Sequence, residues 1–273
     1  MRYRCPDFYR GLYLNNVTVR MPTRYTELLR KAKEHGFNAL VVDVQGVFPS
    51  DEFIRHARES GFYLIARVVV FEGGLKTLPI PARHIEGVIN EAERSARSGF
   101  MEVQLDYIRF ADNLGTPRAT LAERYRTIEG ILKTAAEKIH PLGVRLGADI
   151  FGRIAFNHDD WIGQNVELFS KHIDTIYPML YPSHFYGESN RQRDPYGTVL
   201  EGTRNCVNRT AGRSKIVSYI QGFRYGAGVS GLPITDYIRH QLRAAVDSGG
   251  GGFVVWEANN DYSDLFRAMP QAH

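Results

Sequence analysis

The sequence repeats one pattern of polar and hydrophobic positions. Segments 33–44, 58–68 and 96–106 each contain a polar stretch, then a Gly-Phe pair, then a run of apolar residues. The polar stretch is typical of a helix end, and glycine suits the left-handed backbone that follows one. The apolar run is typical of a strand buried on both faces. Each segment therefore predicts the end of a helix and the start of the next strand.

Looser copies of this pattern continue along the chain. They occur at 141–152, 211–223 and 249–260, and two further strand-like runs lie at 10–16 and 174–182. The intervals between these eight strands predict helices at 23–36, 51–60, 81–98, 119–140, 159–172, 197–211 and 233–248. Because strand and helix alternate with no break in composition, the sequence predicts an α/β fold, a single (β/α)8 TIM barrel over residues 1–273. A doubly wound open sheet is the alternative.

Four acidic residues interrupt the predicted strands. Asp43, Asp106, Asp149 and Glu257 all fall near the C-terminal ends of their strands, and none falls near a start. A (β/α)8 barrel gathers its active site at that end. We therefore expect these side chains to meet at the mouth of the barrel. The alternative for Asp43 is a helix cap or a loop contact, and for the other three it is a structural ion pair with an arginine.

The run VQLDYIRF at 103–110 shows what such an acid requires. Burying a carboxylate costs several kcal/mol of stability unless a partner or water compensates its charge. Alternation along the strand puts Gln104 and Asp106 on the same side. We expect Asp106 to be wet at the barrel mouth and paired with Arg67 or Arg109, and Tyr107 to point away into the core.

Aromatic and amide side chains follow several predicted strand ends. Flat rings beside carboxylates and amides suit a sugar, which has apolar C–H faces and an edge of hydroxyls. The expected substrate-binding residues are Asp43, Arg67, Arg109, Tyr177, Tyr181, His184, Gln221, Trp256 and Glu257. The alternative is that several of these rings only pack between strands and helices.

Composition limits the other functions. The hydrophobic fraction of 43% and charged fraction of 23% are ordinary for a globular protein, and the net charge of +4 includes no Lys/Arg block. We therefore expect no nucleic-acid partner. No apolar stretch is long enough to span a membrane, and the N-terminal residues lack a signal-peptide core. As written, the sequence predicts a cytoplasmic protein, or an exported one if a leader was removed.

Metal and disulfide chemistry have little support. The nine histidines show no paired ligand spacing, so we expect no metal and no other cofactor. The sequence has only two cysteines, Cys5 and Cys206, which excludes a disulfide framework but allows one bridge between them. The sequence does not predict an oligomeric state.

Six motifs, taken in order, resemble the putative glycoside hydrolase domain family, which is related to the α-amylase superfamily of barrels. They are ALVVDVQ, YLIARVVVF, VQLDYIRF, ADIFG, DTIYPMLYPSHF and GGFVVWEANN. The resemblance runs from about Gly11 to Asp264. It implies a retaining-type site in which a fourth-strand aspartate is the nucleophile and a fifth-strand acid donates the proton. Asp106 matches the first role and Asp149 the second.

The leading hypothesis is a glycoside hydrolase that cleaves a polysaccharide or glycan. Asp106 would stay ionised, while Phe151 and partial burial would raise the pKa of Asp149. A carboxyl separation of about 5–5.5 Å would predict retention of configuration, and about 6.5–9.5 Å would predict inversion.

Two alternatives use the same residues. One is a barrel that binds carbohydrate without cleaving it, since Gln221 stands where α-amylase-like enzymes carry a seventh-strand aspartate. The other is a lyase or transglycosylase that uses the same acids.

Overall fold

The strands of the computed structural model, which describes residues 4–112 and 118–269, close into one parallel barrel. They are Tyr9–Leu14 (β1), Ala39–Asp43 (β2), Tyr63–Val69 (β3), Glu102–Asp106 (β4), Arg145–Phe151 (β5), Thr175–Met179 (β6), Lys215–Ile216 (β7), Ser218–Gln221 (β8) and Gly252–Trp256 (β9). The short strands β7 and β8 share one barrel position on either side of Val217. β5 pairs with β6, and β9 returns to β1. The predicted (β/α)8 barrel is confirmed, and this closure excludes the open sheet.

Helices surround the barrel between successive strands. They are Asn16–Val19 (α1), Pro22–Glu34 (α2), Asp51–Glu59 (α3), Ala82–Ser98 (α4), Leu121–Ile139 (α5), Val166–Phe169 (α6), Ser189–Arg193 (α7), Pro195–Thr210 (α8), Ile234–Asp247 (α9) and Ser263–Ala268 (α10). The long helix predicted over 159–172 is wrong, because only α6 forms there. Gly163 adopts a left-handed backbone with φ of 78°, and the side chain of Asn165 caps α6 just after it.

The Gly-Phe pairs have the predicted role. The glycines of pairs 36–37, 61–62 and 99–100 all have positive φ, and the three phenylalanines are buried. Each glycine therefore ends a helix at low steric cost, and the ring after it anchors the start of the next strand.

The protein has two separate hydrophobic regions. The larger lies between the strands and the helices, and the smaller fills the interior of the barrel. Along β4 the buried polar residues Glu102, Gln104 and Asp106 occupy alternate positions, and therefore share the face that points into the barrel. The interior is thus polar along β4 from its floor to its mouth.

Glu102 lies on the barrel floor and is fully buried. Its carboxyl accepts hydrogen bonds from the hydroxyls of Tyr9 at 2.8 Å, Tyr63 at 3.2 Å and Tyr177 at 2.7 Å. Burial nevertheless raises the pKa of Glu102. Three hydroxyl donors satisfy a polar group that would otherwise be costly to bury.

The two cysteines are free, so the bridge that the sequence left open is not formed. Burial raises the pKa of Cys206 to about 12, which keeps its thiol protonated. Among the helices within residues 4–112 and 118–269, none is long and apolar enough to cross a membrane.

Replacing Gly147 tests how tightly the barrel floor is packed. A methyl group there would lie 2.7 Å from the Tyr177 ring and 2.8 Å from Glu102 Oε1, both fully buried. We expect Gly147→Ala to lower the free energy of unfolding by about 1–3 kcal/mol in urea titrations. Gly130→Ala is the control, since nothing lies within 4 Å of its added methyl on α5. It should raise stability by about 0.5–1 kcal/mol. Equal stability of the Gly147 variant and the parent would contradict the packing described.

Candidate active site

Arg67, on β3, connects two of the carboxylates at the barrel mouth. Its Nη1 donates to Asp43 Oδ1 at 2.6 Å, and its Nε and Nη2 donate to Asp106 Oδ2 at 2.9 and 2.5 Å. The Arg67 side chain is only 11% exposed. Arg67 is therefore the partner that Asp106 requires.

Two aromatic rings support this ion-pair network. The hydroxyl of Tyr13 donates to Asp43 Oδ2, and the Tyr13 ring stacks on Trp256 with centroids 3.8 Å apart. The Arg67 guanidinium lies 5.2 Å from the Trp256 ring centroid. These contacts hold the guanidinium in place and orient the Trp256 ring.

Asp106 accepts hydrogen bonds on both of its side-chain oxygens. Besides the two hydrogen bonds from Arg67, its Oδ1 accepts one from the backbone N–H of Tyr107 at 2.6 Å. Tyr107 has a positive φ of 51°, which turns the chain at the strand end. The expectation that Tyr107 packs in the core is wrong, because this turn places its partly exposed side chain in the wall of the cavity.

Asp149, on β5, has the opposite environment. It is 1% exposed, and its Oδ1 accepts no hydrogen bond from the residues that the structure describes. Burial, and then the charge of Asp106, raise the pKa of Asp149 well above its usual value. From the sequence, Phe151 and partial burial were expected to raise the pKa of Asp149. Burial does raise it, and the second cause is the charge of Asp106 in place of Phe151. The raised pKa favours the protonated form of Asp149.

A cavity of about 570 Å³ opens in front of these two carboxyls. Aromatic side chains form much of its wall: Tyr107, Phe151, Tyr181, Phe185, Tyr219 and Trp256. Of the residues expected from the sequence, it is lined by Asp106, Asp149, Arg67, Tyr181, His184 and Trp256. Asp43 contributes through its ion pair with Arg67. Burial lowers the pKa of His184, which favours its neutral form.

Tyr177 and Arg109 lie away from this cavity. Tyr177 is fully buried one layer deeper in the barrel, where its hydroxyl donates to Glu102. Arg109 forms an ion pair with Asp112 at 3.0 Å and lies 4.3 Å from the Phe151 ring centroid. It supports the cavity wall from behind and does not contact Asp106 through a hydrogen bond in the described chain.

Gln221 and Glu257 hold loops. The Gln221 Nε2 donates to the carbonyls of Phe223 at 3.0 Å and Tyr225 at 2.9 Å, and the residue is fully buried. The Glu257 Oε2 accepts from the backbone N–H of Asp261 at 2.8 Å. Both residues lie near the strand ends, as predicted, but their polar groups are used within the protein.

Sequence reasoning missed three charged residues in the cavity wall: Asp112, Arg153 and Glu188. Arg153 donates to Asp112 at 2.7 Å and to Asp160 at 2.9 Å. Its position directly after the ADIFG motif was a usable signal, because residues after a barrel strand lie at the active-site end. Asp112 and Glu188 lie in loops whose course the hydrophobic pattern does not indicate.

The described ranges, 4–112 and 118–269, contain no group of three His, Cys, Asp or Glu side chains that could hold a metal ion. What the site offers chemically is a carboxyl with a raised pKa, a second carboxyl paired with an arginine, and flat apolar surfaces beside both.

Residues 79–262 match the model of a family described as a putative glycosyl hydrolase domain, which is more than half of the chain. The chain belongs to this family. The matched segment includes Asp106, Asp149 and most of the cavity wall. A search of curated proteins found no match.

Solved structures share the fold of this putative glycosyl hydrolase domain. The glycoside hydrolase domain of PgaB (BpsB) from Bordetella bronchiseptica aligns with a TM-score of 0.68 at 12% identity, over 97% of this chain and 100% of that one. The C-terminal domain of a putative chitinase from Desulfitobacterium hafniense gives 0.64 at 12%, over 97% and 98%. The spore cortex-lytic enzyme SleL from Bacillus megaterium gives 0.62 at 10%, over 97% and 75%. At these identities the likeness shows the fold alone.

The protonation of Asp149 predicts a pH effect on stability. Because its pKa is raised in the folded protein, the stability it contributes is fully present below its unfolded pKa of about 3.9 and is lost as pH rises through the folded value. Asp149→Asn removes this dependence. In urea titrations across pH, the free energy of unfolding of the variant should rise relative to that of the parent above about pH 4, by at most about 1.4 kcal/mol per pH unit. Exposed Asp159→Asn is the control, and parallel curves for Asp149→Asn and the parent would show that Asp149 is not protonated.

Proposed function

We propose that this protein hydrolyses O-glycosidic bonds of a polysaccharide or glycan through Asp106 and Asp149. One observation carries the proposal: at the mouth of the barrel, a buried carboxyl with a raised pKa lies beside a carboxyl that accepts two hydrogen bonds from Arg67. Glycoside hydrolysis requires this combination of a protonated acid and an ionised partner.

Each carboxyl has a defined role in the reaction. Asp149 gives its proton to the glycosidic oxygen, so the bond to the anomeric carbon breaks and the leaving sugar departs as an alcohol. Asp106 bonds to the anomeric carbon as its positive charge develops. Water then attacks that carbon, Asp149 takes a proton from the water, and Asp106 is released.

The closeness of the two carboxyls supports retention of configuration. An inverting site keeps its carboxyl groups about 6.5–9.5 Å apart so that water fits between them, whereas a retaining site keeps them about 5–5.5 Å apart. Asp106 and Asp149 lie on the paired strands β4 and β5, and the charge of Asp106 raises the pKa of Asp149. Neighbouring carboxyls of this kind fit the shorter separation better.

The cavity wall and the family support a sugar substrate. Tyr181, Tyr219 and Trp256 present rings beside the carboxyls, as sugar C–H faces require. The family is described as a putative glycosyl hydrolase domain, and one structural neighbour is the C-terminal domain of a putative chitinase. Another neighbour is an L-ribulose 3-epimerase, so the fold alone does not select the substrate. Chitin is therefore one of several polysaccharides to be tested as the substrate.

Binding of carbohydrate without cleavage is the second candidate. The seventh barrel position carries Gln221 instead of an acid, and its side-chain amide is hydrogen-bonded to loop carbonyls. A protein of this kind would bind a glycan and release no product on long incubation. A lyase would instead yield an unsaturated product, and a transglycosylase would yield longer chains.

The hydrolase proposal is tested with a panel of microbial and plant polysaccharides, including chitin, and detection of new reducing ends. We expect Asp106→Asn and Asp149→Asn each to lower kcat/KM by about 10²–10⁴-fold. In the parent, activity should fall as pH rises through the raised pKa of Asp149, because the acid then loses its proton. Asp159→Asn, an exposed change outside the cavity, should retain activity. Full activity of either carboxyl variant would refute the assigned chemistry.

A further inference from the structure

We propose that the substrate-binding groove continues past the carboxyls into a second sugar-binding cavity, with Tyr186 as an aromatic platform between the two. This inference rests on the proposed function and extends it. The substrate is then a chain of several sugar units that is held on both sides of Tyr186, and the enzyme favours polymers over short oligosaccharides.

A second cavity lies directly beside the first. It has a volume of about 510 Å³ and is lined by residues between Gly187 and Glu201, from the loop before α7 to the first half of α8. Glu188 lines both cavities. The two spaces are therefore neighbours, and the proposed groove joins them past Glu188.

A row of aromatic rings in the first cavity ends at Tyr186, which directly precedes Gly187 of the second cavity. Tyr181 is 6% exposed and lies 5.3 Å from the His184 ring, edge to face. His184 in turn stacks with Tyr186 at 5.9 Å and an interplanar angle of 18°. Phe223 packs 5.5 Å from His184 and fixes it from another side. The Tyr186 ring is thus oriented by its neighbours.

Tyr186 is nevertheless 70% exposed and lies in the wall of the first cavity. An exposed aromatic ring contributes little to folding, because most of its apolar surface stays in water. The apolar face of a sugar ring covers such a surface well, since tyrosine combines a flat hydrophobic body with a polar hydroxyl. Its position next to a polar cavity points to a carbohydrate ligand.

The wall of the second cavity is polar and held in place. Arg191 donates to Glu188 at 2.8 Å and to Glu201 at 3.0 Å, and its guanidinium lies 3.5 Å from the Phe156 ring centroid. The Thr198 hydroxyl donates to the Arg191 carbonyl at 2.8 Å. Carboxylate, amide and hydroxyl groups in a preordered wall can bind sugar hydroxyls with little loss of side-chain entropy.

Binding to an inactive protein tests the groove separately from the chemistry. In the full chain carrying Asp149→Asn, affinities are measured by calorimetry for two probe series, chitin and cellulose oligosaccharides from disaccharide to hexasaccharide. Tyr186→Ala is compared with Tyr225→Ala on this background. Tyr225 is 72% exposed but lines neither cavity, so it is the matched control.

We expect affinity to rise with chain length for at least one series. Tyr186→Ala should weaken hexasaccharide binding by roughly threefold to tenfold and leave disaccharide binding unchanged. Asn190→Ala, in the second cavity, should act in the same direction. Tyr225→Ala should change neither.

Two results would overturn the groove: affinities that do not increase with length in either series, or an equal effect of Tyr186→Ala at every length. These results differ from a failure of the proposed hydrolysis. Length-dependent binding that requires Tyr186, found in a protein whose parent releases no product from any polysaccharide, would reject the hydrolase and keep the groove. If the carboxyl variants lose cleavage but binding does not depend on chain length, the groove is rejected and the hydrolase is kept.

Discussion

The ion pairs of Arg67 with Asp43 and Asp106 are the interaction on which the candidate site depends. A guanidinium that is 11% exposed would be costly to bury alone, and two carboxylates satisfy it with three hydrogen bonds. The same arginine donates to Asp106 but not to Asp149, whose pKa is raised by burial first and by the charge of Asp106 second. The difference between the two catalytic candidates therefore follows from burial of one carboxyl and from the arginine that pairs with the other.

The barrel interior supplies the setting for this network. On β4, Glu102 and Gln104 lie beneath Asp106, and tyrosine hydroxyls donate to both of these lower residues. Polar groups are thus buried along the barrel axis while the helices pack against a separate apolar layer. The Glu102 carboxyl is satisfied by these hydroxyls within the protein, and the carboxyls that line the cavity lie above it at the mouth. Membership of the putative glycosyl hydrolase domain family agrees with a site at this end.

Much of this site could be predicted because strands have a simple period. Alternation places Gln104 and Asp106 on one face, and the parallel barrel brings the C-terminal ends of its strands to one rim. The same alternation did not predict that Tyr177 and Tyr181 lie at different depths in the barrel. They lie four residues apart and face the same way, but one is a layer below the cavity and the other lines it. Depth within a barrel depends on how each strand is staggered against its neighbours, which the pattern along one strand does not contain.

The sequence by itself determined the barrel, its Gly-Phe junctions and the acids at its C-terminal rim, because these follow from local periodicity and backbone conformation. Only the tertiary structure decided that Arg67, and not Arg109, pairs with Asp106, and that Asp149 rests against that carboxylate. It also turned Tyr107 outward through a positive φ and used Gln221 to hold loop carbonyls. Such choices depend on distances between side chains from different strands and loops, and these distances exist only once the ring has closed.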